Sequence, residues 1–321
     1  MSIARPPEIA ITLGPCDEMR AELFVRFPDV SAAGGRLVGT LVGPRRGRDT
    51  TLPTTSRLVP LPAALAAGPV SRGILTEPAF WTPDLPNLYR VEADLEIGGL
   101  STRRFDTLVG MRRLGVRGRS FWLDGRRWVP RAVVTAGRPD LPASKAAAVG
   151  VVAAVGVVAA AVTAADLAAA DETGVAMLPL LGQDDLATDR LAALAIHPSA
   201  MLAIVAADVP ASRAAEFADA AKAIKGTMLI GCEVDGGQPP PETIPGFDFI
   251  VVTLPAGGQP HAAWRSGAAT PLVAWRHDPA VTPATARAAC DSLQRDLAAW
   301  GLAAGGDRLA WDWAGYLVGS R

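Results

Sequence analysis

IHPSAMLAIVAAD, residues Ile196–Asp208, is a turn, an apolar run and an acid in succession. His-Pro-Ser is turn chemistry, because proline presets φ and a serine hydroxyl bonds the local backbone. The run after it is short, apolar at every position, and carries the β-branched Ile204 and Val205. It reads as a strand buried on both faces. Such strands belong to parallel sheets covered by helices, and a closed barrel of them places chemistry at the carboxyl ends. Asp208 stands at that end.

The pattern repeats on both sides. From Phe121 onward, apolar runs of strand length alternate with Ala-rich helical windows, the βα alternation of a parallel sheet. The candidate strands are RWVPRAVV, GVVAAAV, VAMLPLL, AMLAIVAAD, GTMLIGCEVD, FDFIVVTLP, TPLVAWRHD and DRLAWDWAGY. Helices fit over 143–155, 164–173, 184–195, 211–225 and 283–299, with an irregular link near 259–268. Eight strands within residues 117–321 predict a compact (β/α)8 barrel. Between Lys145 and Asp166 lie 20 uncharged residues, long enough for a membrane span. They are mostly Ala, Val and Gly without aromatic flanks, and Gly150 and Gly156 cut them into a helix, a turn and a buried strand. No membrane partner is expected.

Residues 7–116 follow a different period. EIAITLG, AELFVRF, GRLVGTLVG, SRLVPL, LYRVEADLEIGG and STRRFDTLVGMRRLGV alternate apolar with polar residues and stop at Gly or Pro. Short strands at short spacing predict an immunoglobulin-like β-sandwich over residues 1–116. LPAALAAG is the one short helical candidate there.

Half of the 321 residues are hydrophobic, enough for a large core, and the net charge is −1. That balance excludes a general nucleic-acid footprint, which needs a basic excess. Arg45, Arg46 and Arg48 read as a solvated loop. Cys16, Cys232 and Cys290 are widely spaced, and there are only three histidines, so no metal site is expected. No phosphate or dinucleotide fingerprint implies a cofactor. The first residues lack a signal-peptide core, and a cytoplasmic location is expected.

Several segments, taken in order, resemble glycoside hydrolase family 2, the β-galactosidase and β-glucuronidase family. PAFWTPDLPNLYRVEADL (Pro78–Leu95) resembles its Trp-x-Pro-x-x-Pro-x-Leu-Tyr segment. RRFDTLVGMRRLGV is similar to a strand whose family form ends in Gly-x-Arg. SFWLDGRRWVPRAV (Ser120–Val133) resembles the hairpin that opens the barrel, with Asp124-Gly125 where Asn-Gly is usual. DLAAADETGVAML resembles the segment around the family's Asp-x-x-Gly, and IHPSAMLAIVAAD its His-Pro-Ser strand, which ends in Asn-Glu. The family's jelly-roll domain has no counterpart in these residues.

The resemblance implies a retaining glycosidase with carboxyl groups at the ends of the fourth and seventh strands. The acid/base position falls on Asp208, and the asparagine before it corresponds to Ala207. The nucleophile position falls on Arg276, within one residue, and an arginine cannot serve as a nucleophile. Ala161 and Leu180 stand near two further polar positions. Glu233 is the first choice for a relocated partner facing Asp208 across the mouth; Asp235, Asp278 and Asp312 are other acids near strand ends. His197, Trp275, Arg276 and Trp311 are candidate substrate-binding residues, with Trp264 and Trp313 as further aromatic surfaces for sugar or core. Three readings follow. One is a family-like protein that has lost hydrolysis but keeps carbohydrate binding or a scaffolding role. The second is an active β-glycosidase using Asp208 and a relocated carboxylate. The third is an interaction module without sugar binding.

Overall fold

Alternation in the amino-terminal third produces seven antiparallel strands: β1 (Ala10–Cys16), β2 (Arg20–Arg26), β3 (Gly35–Arg45), β4 (Thr54–Pro60), β5 (Val70–Thr76), β6 (Leu88–Ile97) and β7 (Leu100–Val109). The computed structural model describes residues 9–27, 35–47, 52–62, 68–155, 162–241, 246–255, 258–266, 269–302 and 313–321. The helical candidate LPAALAAG falls largely outside them. The strand order is β1-β2-β5-β4-β3-β6-β7. β4 pairs with β3 through one part of its length and with β5 through another, so it passes between the two halves. Both halves turn apolar faces to one core, with Leu23 and Val25 from β2 meeting Leu37, Leu41, Val91 and Leu95 from β3 and β6. β5 was absent from the sequence expectation. Its inward face carries Ser71, Gly73 and Leu75, which leaves almost no hydrophobic alternation to read.

A three-stranded hairpin unit follows: β8 (Leu114–Arg117), β9 (Ser120–Leu123) and β10 (Arg126–Trp128). Asp124 and Gly125 both have positive φ, at 48° and 76°, the backbone that a two-residue hairpin turn requires. Phe121 of this unit packs edge-on against Phe249 with ring centroids 5.5 Å apart, closing the barrel from below.

Eight parallel strands then close on themselves: β11 (Arg131–Thr135), β12 (Gly150–Val155), β13 (Met177–Leu181), β14 (Leu202–Val205), β15 (Leu229–Asp235), β16 (Phe249–Thr253), β17 (Leu272–Arg276) and β18 (Gly315–Ser320), with β18 paired to β11. Helices α1 (Leu141–Ala146), α2 (Ala164–Thr173), α3 (Thr188–Ala195), α4 (Ala211–Ala221) and α5 (Pro283–Leu302) surround them. The architecture is therefore a β-sandwich followed by a (β/α)8 barrel.

Two strands differ from expectation. The second is Gly150–Val155 rather than GVVAAAV, and the helix expected over 143–155 ends at Ala146. A run of Ala, Val and Gly has no polar positions to set a period, so strand and helix look alike. The last strand is Gly315–Ser320 rather than the segment ending at Tyr316. Among the described residues no helix is long and apolar enough to cross a membrane.

Along each barrel strand, side chains alternate between two cores. Leu178, Leu180, Leu202, Ile204, Val251 and Leu317 fill the inside, while Met177, Leu181, Ala203, Val205, Val252 and Val318 meet the helices. Gly231 lets the Phe249 ring cross the interior; a Cβ there would sit 2.4 Å from that ring.

Candidate functional site

β15 decides what occupies the carboxyl end of the barrel. Ile230 and Cys232 pack toward the helices, so Gly231 and Glu233 face inward. Glu233 is 6% exposed. Its carboxylate accepts from Arg321 Nη2 at 2.6 Å on each oxygen, from Thr253 Oγ1 at 2.9 Å and from the Ala207 backbone N–H at 3.1 Å. A buried carboxylate this well paired is one whose charge the site tolerates. The Arg321 guanidinium also lies over the Trp275 ring, 5.2 Å from its centroid. Trp275 is fully buried, and its Nε1 donates to the Gly319 carbonyl at 3.1 Å. His277 stacks on the same indole at 4.8 Å.

Arg276 corrects an expectation. Placed opposite Asp208, it would have been a cation in the cavity. Strand parity instead turns Trp275 inward and Arg276 outward, where its Nη2 pairs with Asp296 of α5 at 2.9 Å. The pairing of Asp208 with Glu233 also takes a different form. Asp208 lies in the turn after β14 and Glu233 in the adjacent strand β15, and Glu233 bonds the backbone of the residue before Asp208. Asp208 itself is exposed, as is Ala207. Leu180 points into the barrel interior. Trp264 and Trp313 are buried, with Trp264 Nε1 donating to the Gln238 carbonyl at 2.8 Å. Trp311, Asp312 and Ala161 lie outside the described residues. Among the described residues no three His, Cys, Asp or Glu side chains gather into a metal-sized cluster.

His197 sits at the other end of the barrel. Its Nδ1 lies 2.6 Å from Asp171 Oδ2, and Asp171 Oδ1 accepts from the Ser199 backbone N–H at 2.9 Å. Arg112 is buried beneath this turn. It donates to the His197 carbonyl at 2.9 Å, to the Pro198 carbonyl, and to Thr227 Oγ1 at 3.0 Å. Burial pushes the Arg112 guanidinium down to about 10, against the opposing pull of Asp171. From the sandwich side, Trp81 Nε1 donates to the Asp171 carbonyl at 2.8 Å. Two glycines permit the close fit. A Cβ on Gly110 would meet Pro198 at 2.5 Å, and one on Gly174, which ends α2 at φ 73°, would meet the Pro83 carbonyl at 2.4 Å. Trp81, Gly110, Arg112, Asp171, Gly174 and His197 thus form one joint between sandwich and barrel.

No protein-family model matches the sequence, and no curated protein sequence matches it. Solved structures do. A glycosyl hydrolase family 2 member from Bacteroides cellulosilyticus superposes with a TM-score of 0.65 at 14% identity, covering 98% of this chain and 45% of that one. The chain is folded like the glycosyl hydrolase family 2 proteins. A Bacteroides uniformis β-glucuronidase gives 0.61 at 13% identity, over 98% of this chain and 46% of that one. A Bifidobacterium dentium β-glucuronidase gives 0.57 at 14% identity, over 97% and 59% respectively. The chain spans about half the length of these proteins. At such identities the likeness speaks for the fold alone.

Sequence reading missed Arg321, Thr253, Arg112 and Asp171 as partners. Parity along β15 and β16 would have placed Glu233 and Thr253 on one face. Nothing in the pattern points to Arg321, which follows a strand that lies further along the chain than its apolar run suggests.

Proposed function

We propose that this protein is a glycosyl hydrolase family 2-like barrel that binds carbohydrate at its carboxyl-terminal mouth without hydrolysing glycosides. The observation that carries this reading is Glu233, which acts as an acceptor in every hydrogen bond it makes and is held by Arg321. A general acid must donate a proton to the leaving oxygen, and a nucleophile must present a free lone pair to the anomeric carbon. Glu233 is arranged for neither. Asp208 is exposed, and the seventh strand offers Trp275 inward and Arg276 outward. Binding at this end is supported by the shared barrel. The Bifidobacterium enzyme has been seen with coumarin-3-O-glucuronide.

The test is turnover of chromogenic β-glucosides, β-galactosides and β-glucuronides, together with calorimetric titration of β-linked sugars. The expected outcome is no turnover above background, with saturable binding of at least one sugar. Silence against every sugar removes the binding claim.

One contact favours an active enzyme as the second reading. The Ala207 N–H bonds Glu233, so the carboxyl ends of β14 and β15 touch and the Asp208 backbone lies beside a buried acid. Turnover abolished by both Asp208→Ala and Glu233→Gln would establish that reading instead.

A further inference from the structure

The amino-terminal face of the barrel carries a cleft of about 710 Å³. It opens where β11, β12 and β13 begin, between the loop after Pro78 and the β9–β10 hairpin. Its size is that of a small-molecule site. Phe80, Trp128 and Leu178 give it apolar walls.

Its charge is unlike that of the whole chain. Arg126, Arg127, Arg131, Lys145 and Arg287 line it, against Asp84 and Asp124, in a protein whose net charge is −1. Part of this charge is neutralised: Asp124 is taken by Arg113, and Arg131 and Arg287 share Asp291. Lys145 is different, because its ammonium donates to the Pro83 carbonyl, which carries no charge. Among the described residues, no carboxylate lies within ion-pair distance of Lys145 or Arg126.

We propose that this cleft binds a small organic phosphate. The phosphoryl group is held by Arg126 and Lys145, and a ring or other apolar body rests on Trp128 and Phe80. Guanidinium and ammonium groups suit phosphate oxygens by charge and donor geometry. This site is separate from the barrel mouth and does not depend on the reading given for it.

Calorimetric titration of the full chain tests this, with phenyl phosphate, inorganic phosphate and benzoate as probes. Phenyl phosphate is expected to bind with a Kd below about 1 mM, and more tightly than either of the others, since it has both the charge and the ring. Arg126→Gln is expected to weaken it about tenfold, from the loss of one charged hydrogen bond. Arg126 is exposed, so its variant should melt like the wild type and isolate the charge from the fold. The proposal is overturned by any of three results: no saturable binding of phenyl phosphate, the same Kd in wild type and Arg126→Gln, or benzoate binding as tightly.

Discussion

At one end of the barrel Arg112 is buried among backbone carbonyls; at the other Arg321 is half-buried against a carboxylate. The first belongs to the joint that holds sandwich to barrel, the second to a plug at the mouth. Four of the five sequence segments that resemble glycoside hydrolase family 2, carrying Trp81, Gly110 with Arg112, Asp171 with Gly174, and His197, meet at the joint. Of the positions that depart from it, Ala207 and Asp208 lie exposed at the mouth, Arg276 turns away from the cavity, and Leu180 is buried in the barrel interior. At the exposed positions the physical difference is solvent. A group lost from the buried joint leaves a partner unsatisfied in low dielectric, whereas water reaches Ala207 and Asp208 and can replace what a side chain no longer supplies.

The contrast can be broken by substitution, and the joint should give the largest losses. Arg112→Ala strands two buried carbonyls and opens a void, so unfolding in urea should show a loss of about 3–5 kcal/mol. A loss within that of an ordinary surface change would mean that the joint does not hold the domains. Asp171→Asn keeps the shape but removes the charge facing His197 and weakens the bond to the Ser199 N–H; a loss of about 2 kcal/mol is expected.

The mouth should respond less. A double-mutant cycle on Glu233→Gln and Arg321→Met should return a coupling of roughly 1–2 kcal/mol, reduced from a fully buried pair because Arg321 is partly in water. A coupling near zero would show that the plug is not formed in solution. Arg276→Ala breaks a pair whose Asp296 partner is exposed, and the cost should stay within about 0.5 kcal/mol.

The smallest effect concerns Cys232, next to Glu233 in sequence but facing the helices. Burial pushes its thiol, and that of Cys290, up to about 12. The native state therefore favours the protonated thiols. Their contribution to stability is complete below the ordinary thiol value of 9.0 and is lost as pH rises through about 12. At pH 8 neither should be alkylated by iodoacetamide until denaturant is added, as mass spectrometry would show. Rapid labelling in the native state would indicate that the helix layer opens.

Much of the fold is legible in the sequence. The boundaries of α2 at Ala164 and Thr173 coincide with the periodic window, because Thr163 and Asp166 form a capping box and Gly174 ends the helix in the left-handed region. The fourth to seventh barrel strands lay where their apolar runs suggested. β5 and β12 did not, for opposite reasons: the inward face of β5 has too little hydrophobicity to stand out, and β12 is embedded in too much. At the site, the chain showed which acids stand near strand ends but not which way they face. One residue of parity reversed the reading of Arg276.

The sequence alone determined the two layers of organisation, the parallel strands and the motifs of the joint, because periodicity, caps and turns act over a few residues and leave a local imprint. Tertiary structure alone decided that Arg321 closes over Glu233, that Arg276 leaves the cavity, and that a cationic cleft opens beneath the barrel. Each of those depends on residues far apart in the chain being brought side by side, and on which face of a strand each one occupies once the barrel has closed.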